Sequence, residues 1–286
     1  YHIIPRKYNT VNFMTRYYTN QFMNVSDFLN ITSSSSILSD DYGDGKIVML
    51  YSFSKYNKAD IEKHFIEIAD PKLILVCPRK TIKSKKLLID YDIIQSLRKN
   101  QYFTDNNEIL KNELPLLMDD ITTELVSELT EIYEESNSSV LYFDNGTLKE
   151  DKYTNIESVV GYCCDKIYYK TLLINNEMIN RSVITTAQTK KARAIIVDAI
   201  LRHIDNEDFY VGSRQEATIY RSLIINTGLA NKTHNQNLED AIAEINNFID
   251  SCSGKKVSLA KLIKLLTDEP YGMRLGVVPV YLAYAF

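Results

Sequence analysis

Two clusters of basic side chains hold most of the chain's capacity for chemistry. Arg79, Lys80, Lys83, Lys85 and Lys86 place five positive charges within eight residues. They follow an apolar run, where the loop of an α/β unit leaves its sheet. Such a loop suits phosphate contact; a solvated surface loop has the same composition, and no aromatic residue is interleaved for base stacking. The second cluster is Arg181, Lys190, Lys191, Arg193 and Arg202, opposed between 181 and 203 by Asp198 alone. It gives a helix with a basic outer face and an apolar inner one. That face suits a DNA backbone, and it equally suits water. Arg274, set in Pro270-Tyr-Gly-Met-Arg274, and Arg181 are guanidinium groups fit for bidentate contact with phosphate or carboxylate.

Other motifs that carry chemistry are incomplete. Gly43-Asp-Gly45-Lys46 is followed by Ile47 instead of a hydroxyl residue, and Gly254-Lys255-Lys256 has Ile249 where an earlier glycine is required. Neither is a Walker A loop. Asp119 and Asp120 are helix neighbours about 100° apart, without further ligands nearby. His64, His203 and His234 stand singly, no nucleophile elbow surrounds a serine, and Cys77, Cys163, Cys164 and Cys252 lack metal-binding spacing. The thiols read as reduced and mostly buried. A nuclease-type enzyme would need a composite site drawn from distant segments.

The composition is that of a folding chain: 286 residues, 45% apolar and 24% charged, with a formal charge of −4. That charge announces neither a nucleic-acid nor a membrane partner. No apolar stretch is long enough to cross a bilayer and the start lacks a signal pattern, so a cytoplasmic location is expected. The missing initiator Met and the uncapped apolar stretch Val277 to Phe286 read as an internal piece of a longer polypeptide.

The elements that must position these groups follow from periodicity. Lys46 to Phe53 and Pro71 to Cys77 are apolar runs around an amphipathic stretch opened by Asn57, which predicts a parallel βαβ unit. Leu117, Ile121, Leu125, Leu129 and Ile132 mark one face of a long helix within 87–135. Between Asp105 and Glu135 ten acidic residues accompany one lysine, Lys111; they face water, a basic partner surface or the basic helix. Ser139 to Phe143 before Asn145-Gly146 is a third strand ending in a turn. Ser33 to Ser36 reads as a mobile loop or linker. The rest reads as helical, with capping patterns at Thr154-x-x-Glu157, Thr185-x-x-Gln188 and Ser213-x-x-Glu216, and with Asn237 and Ser258 as further caps. The expected class is α+β, predominantly helical, with a small parallel α/β layer followed by a helical domain. The expected spans are 1–39 for a connecting segment, 40–145 for an α/β subdomain and 146–286 for the helical domain.

Four segments carry a family resemblance. Asn175-Asn-Glu-Met-Ile-Asn-Arg181 with Thr185 to Arg193 resembles the "NELINR … A-x-x-AR" stretch of the large P-loop ATPases of BREX and phage-growth-limitation type phage-defence systems. Glu216 to Leu229 is similar to their "ERSIY-x-S-L-x-x-TGL" segment, and Leu266 to Pro279 to "L-x-x-PPYGLR-x-GVIP". Pro5 to Asn9 and Thr15 to Tyr17 resemble the stretch joining the nucleotide-binding module to the middle region. Order and spacing agree over most of 170–286.

The resemblance implies a noncatalytic accessory region of a large prokaryotic defence ATPase, relaying nucleotide state or engaging DNA or partner subunits. No catalytic, cofactor or metal site is expected within it; ATP and Mg would belong to the parent protein, and the partners would be its other modules and the defence-system subunits. At the shared positions, Asn175, Asn176 and Asn180 are expected to close a turn, Glu177 and Arg181 to form an i,i+4 ion pair, and Gly228 and Gly272 to need φ > 0. Val277 to Phe286 is expected to start a buried helix. The alternative is a stand-alone module binding duplex DNA through the 79–86 loop and the face of 188–202.

Overall fold

A computed structural model describes residues 2–39, 43–100, 107–134, 136–203, 211–231, 233 and 235–286. His234, Asp105 and Glu135 lie outside the described residues. The class is α+β. The chain forms two compact units, Tyr1–Ile3 with Tyr18–Val159, and Ile4–Tyr17 with Val160–Phe286.

The first unit is built on one sheet of β1 (His2–Ile3), β2 (Tyr18–Asn24), β3 (Gly45–Tyr51), β4 (Leu73–Pro78), β5 (Ser138–Asp144) and β6 (Thr147–Lys152), in that order across the sheet. Between β1 and β2 the chain forms α1 (Arg6–Asn12), which belongs to the second unit. β2, β3 and β4 are parallel, whereas β1 pairs antiparallel with β2, and β5 with both β4 and β6. The sheet is therefore mixed, with the expected parallel layer as its centre. β3 and β4 are joined by α4 (Lys58–Glu67), whose cap Asn57 accepts a hydrogen bond from the Ala59 amide at 3.1 Å. One helical pass makes the next strand parallel. β4 and β5 are joined instead by two helices, α5 (Lys85–Lys99) and α6 (Glu108–Ile132). Two passes bring the chain back to the edge it left, so β5 runs the other way.

The helical stripe is the expected one except at its start: α6 buries Leu114, Met118, Leu125 and Ile132, with Ile121 and Leu129 half-buried, while Leu117 is 47% exposed. The inward face therefore begins at Leu114 instead of Leu117, on a helix packed along α5. β5 and β6 are joined by Asn145-Gly146 with φ of 49° and 76°, as a two-residue type I′ turn requires. α2 (Val25–Leu29) and α3 (Ser35–Leu38) complete the unit, and α3 corrects the linker expected at Ser33 to Ser36. The serines bond locally, Ser36 Oγ to the Ser33 carbonyl at 2.7 Å and Ser34 Oγ to Asp70 at 3.1 Å, while Ile37 is buried in the core. One sheet face meets α2 and α4 through Phe28, Phe65, Val48, Leu50, Leu75 and Phe143. Each such fully buried side chain stabilises the fold by about 1.5–3 kcal/mol.

The second unit is helical: the remainder of α7 (Ile156–Ile167), α8 (Ala187–Leu201), α9 (Gln215–Tyr220), α10 (Gln236–Cys252), α11 (Ala260–Thr267) and α12 (Val278–Ala285). α9 runs on into a π-helical turn, Arg221–Ile225. α12 is buried through Val278, Val280, Tyr281, Leu282 and Ala283, as its composition requires. α11 has Leu259 at its N-cap position without a side-chain cap; Ser258, the expected cap, stands one residue earlier and accepts from the Ala260 amide at 3.2 Å. Other caps shift: Thr186, one residue after Thr185, accepts from the Thr189 amide, and Asn235 accepts from Leu238 where Asn237 was expected. Arg214 precedes α9 without a side-chain cap, and Thr154 lies within a 3-10 turn, Tyr153–Asn155. Where polar residues crowd a helix start, the one whose oxygen reaches the second or third amide becomes the cap.

Candidate functional site

The eleven basic residues singled out in the sequence divide between the two units. In the first, the loop after β4 lies against the acidic side of α6. Lys80 pairs with Glu131 at 2.7 Å, and the Lys83 and Ser84 amides both donate to Glu128 Oε1, at 2.6 and 3.3 Å. Lys80, bonded to Glu131, holds that carboxyl below its ordinary range. Lys85 stands 5.8 Å from the Phe53 ring centre, and Lys83, Lys85 and Lys86 are exposed. The acidic helix thus finds its basic counterpart in the 79–86 loop. Arg79 is exposed and lines two adjoining cavities.

In the second unit, Lys190 and Lys191 are exposed on α8, whereas Arg193 is partly buried and donates to the Gly276 carbonyl at 3.3 Å. Arg202 pairs with Asp198 at 2.8 Å. Arg181 donates through Nε to the carbonyl of Glu177 at 2.6 Å, so the expected contact within this turn goes to backbone instead of to the carboxylate. Arg274 is buried, donating to Ser182 Oγ at 3.0 Å and to the Thr15 carbonyl.

Arg274 belongs to a buried polar junction whose other arginine, Arg16, was not singled out as a site in the sequence. Asn9 brackets the Arg16 backbone, donating to its carbonyl and accepting from its amide, each at 2.9 Å. So aimed, the Arg16 guanidinium lies 3.6 Å from the Tyr168 ring centre and donates to the Gly272 carbonyl at 2.8 Å. Gly272 has φ of 57°, and a Cβ there would collide with Arg16 and Tyr168, so glycine is required for both backbone and space. Gly228 likewise has φ of 77°. Asn180 donates to the Phe13 carbonyl at 3.0 Å, and Asn176 to Ser222 Oγ at 3.1 Å. Asn176 also accepts from the Met178 amide at 3.2 Å, closing the expected turn. The Gly276 amide donates to the Arg181 carbonyl at 2.9 Å. Tyr281 and Tyr284 donate to the carbonyls of Leu223 and Leu229 at 3.3 and 3.2 Å. Buried polar groups joined in this way stabilise one arrangement, because any broken member is left desolvated.

The first unit carries the open site. At the carboxyl ends of β3 and β4 the Ser52 carbonyl accepts from the Ile82 amide at 2.8 Å, and Tyr56 donates to the Pro78 carbonyl, which ties the two strand-end loops together. β5 begins and β6 ends at this same edge. One cavity of about 340 Å³ is lined by Lys55, Tyr56, Lys58, Cys77, Arg79 and Thr81, without a carboxylate in its lining. The adjoining one, about 740 Å³, shares Arg79 and is lined by Ser138, Ser139, Glu134, Glu150 and Asp151 among others. Lys58 and Glu150 meet at 2.6 Å between them, and the lysine holds the Glu150 carboxyl below its ordinary range. Burial pushes the Cys77 thiol up to about 12, so it stays protonated and is a poor nucleophile at neutral pH. Asp151 accepts from Asn155 at 3.0 Å and from the Lys152 amide at 2.7 Å.

Among the described residues no group of three or more His, Cys, Asp and Glu side chains is placed to hold a metal ion, and no helix is long and apolar enough to cross a membrane. Lys55, Tyr56, Lys58 and Ser139 were missed in the sequence because no spacing unites them; the βαβ pattern alone marks the edge where they meet. Comparison of the chain with protein families, characterised proteins and solved structures finds no match.

Proposed function

We propose that this chain is a noncatalytic interaction region of a large cytoplasmic P-loop ATPase of phage-defence type, engaging the other modules of that ATPase and its partner subunits. One observation carries the reading: the four segments on which the resemblance rests, far apart in sequence, meet within one unit. Arg16 bonds Gly272, Arg274 reaches Thr15, Asn176 bonds Ser222 and Arg193 bonds Gly276. Scattered chance similarities have no reason to select segments that interlock. Their polar groups are occupied in holding the unit together, which supports a positioning role over a catalytic one. ATP and Mg belong, on this reading, to Walker loops elsewhere in the polypeptide.

The coding sequence on either side of this chain tests the reading. Walker A and Walker B motifs in the same reading frame are the expected result; an open reading frame without them overturns it. The duplex-DNA alternative is favoured by the exposed pair Lys190 and Lys191 on α8 and by the exposed Arg79, Lys83, Lys85 and Lys86 of the loop after β4. Its signature is a duplex affinity that falls steeply with salt and is lost in the Lys190→Gln, Lys191→Gln double variant.

A further inference from the structure

We propose that the crevice at the carboxyl edge of β3 and β4 binds a phosphorylated, polyhydroxylated small molecule, of the class of sugar phosphates and the ribose-phosphate end of nucleotides. The inference is separate from the ATPase reading and concerns the first unit alone.

The lining divides by chemistry. Lys55, Lys58 and Arg79 bring three cations to the smaller cavity, with Thr81 supplying a hydroxyl donor and no carboxylate in the lining. Of these, Lys58 is matched by Glu150 and Glu62, at 2.6 and 3.4 Å. The side chains of Lys55 and Arg79 have no hydrogen-bond or ion-pair partner among the described residues, although Arg79 stands close enough to Glu150 to lower its pKa. A planar guanidinium beside two ammonium groups is a phosphate cradle, and a phosphate there gives Lys58 a third anion beside Glu150 and Glu62. The larger cavity offers the opposite set: Glu134, Glu150 and Asp151 accept hydrogen bonds, and Ser136, Ser138 and Ser139 both donate and accept. Such a wall suits the hydroxyls of a sugar.

The floor gives the second observation. Ser139 is 4% exposed, and its hydroxyl engages the Glu150 carboxylate, which it helps to hold below its ordinary range. That contact ties one carboxylate of the sugar-facing wall to the sheet. Register places Ser139 beside Cys77 on β4 and Lys152 on β6, so it lies under the crevice and lines it. The position is also the one at which open α/β sheets receive ligands, outside the carboxyl ends of parallel strands, and the cavities are of the size small-molecule sites have.

The test is calorimetric titration of the whole chain at low salt with inorganic phosphate, ribose 5-phosphate, AMP and ribose. Ribose 5-phosphate is expected to bind, at least tenfold tighter than inorganic phosphate or ribose. Arg79→Gln and Lys55→Gln are each expected to weaken it tenfold or more, and Ser139→Ala to weaken it less; Lys190→Gln in the other unit leaves it unchanged. AMP binding as well as ribose 5-phosphate identifies nucleotides as the source of the ligand, and AMP binding more weakly identifies sugar phosphates. Absence of heat with all four probes at millimolar concentration overturns the proposal. So does affinity unaltered in both Arg79→Gln and Lys55→Gln, or inorganic phosphate bound as tightly as ribose 5-phosphate. None of these results bears on Walker motifs in the flanking sequence, so the two proposals fail separately.

Discussion

Replacing Arg16 by methionine tests the buried junction at its centre. The substitution keeps the unbranched stem and removes a cation lying 3.6 Å from the Tyr168 ring centre and a donor held 2.8 Å from the Gly272 carbonyl. A desolvated cation–π contact contributes about 2 kcal/mol. A hydrogen bond from a charged donor adds about 1.5–3 kcal/mol, and its loss leaves the Gly272 carbonyl without that partner. Methionine has no charge to desolvate, which offsets part of the loss. The net expectation is a destabilisation of about 3 kcal/mol, equivalent to a fall of about 10 °C in Tm for a unit of this size. Urea unfolding of Arg16→Met, Tyr168→Leu and the double variant measures it. The double-mutant cycle is expected to return a coupling of about 2 kcal/mol between Arg16 and Tyr168. A loss below about 1 kcal/mol for Arg16→Met, or additive single effects, would refute the view that this stack holds the helical unit together.

Gly272→Ala forces a Cβ against Arg16 and Tyr168 at a backbone φ of 57°. It is expected to cost at least about 2 kcal/mol, since the left-handed backbone alone costs about 1–2 kcal/mol, and thermal unfolding reads it directly. Native alkylation followed by peptide mapping should label Cys252, which is half-buried, well before Cys77, Cys163 and Cys164, which are buried; equal labelling of Cys77 would contradict its place in the sheet. Lysine partners depress the Glu150 and Asp240 carboxyls, Lys58 the one and Lys170 the other. The stability these pairs contribute is present above the ordinary carboxylate pKa and lost as pH falls through the depressed values, so the acid limb of urea-measured stability should flatten in Glu150→Gln with Asp240→Asn. Both pairs are partly exposed to solvent, and the effect is small.

What the sequence made legible follows what burial makes regular. β3, α4 and β4 were readable because both strands are buried on both faces and present unbroken apolar runs around a capped helix. β2 was not, since beyond the buried Tyr18 its residues are half-buried without alternation, Phe22 is exposed, and Asn20, Gln21 and Asn24 break the apolar run. β6, Thr-Leu-Lys-Glu-Asp-Lys, has the composition of a loop and is a strand because the Asn145-Gly146 turn folds it back onto β5. The antiparallel course of β5 depends on counting two helices between it and β4, where the periodicity suggested one. Ser33 to Ser36 misled through composition alone, for Ile37 supplies the apolar anchor.

The sites show the same division. Gly272 and Gly228 announced their backbone geometry in the sequence, and the turn at Asn176 and Asn180 was readable from residue type. Arg16 could not be recognised as a junction residue, because its partners Tyr168 and Gly272 lie in segments far along the chain. The crevice was invisible for a related reason: Lys55, Arg79 and Ser139 come from three loops and strand ends that only the sheet brings to one edge. Basic residues that stood out by density, Lys80 above all, prove to face the carboxylates of α6.

The central claim is that these residues position and bind, while bond-breaking chemistry belongs to polypeptide elsewhere. It is tested most directly by incubating the purified chain with ATP and with duplex and single-stranded DNA, each with Mg²⁺ or Mn²⁺, and following phosphate release and strand cleavage. The account predicts neither above the enzyme-free background, in wild type and in Arg79→Gln alike. Sustained phosphate release or DNA cleavage by the wild-type chain would contradict it.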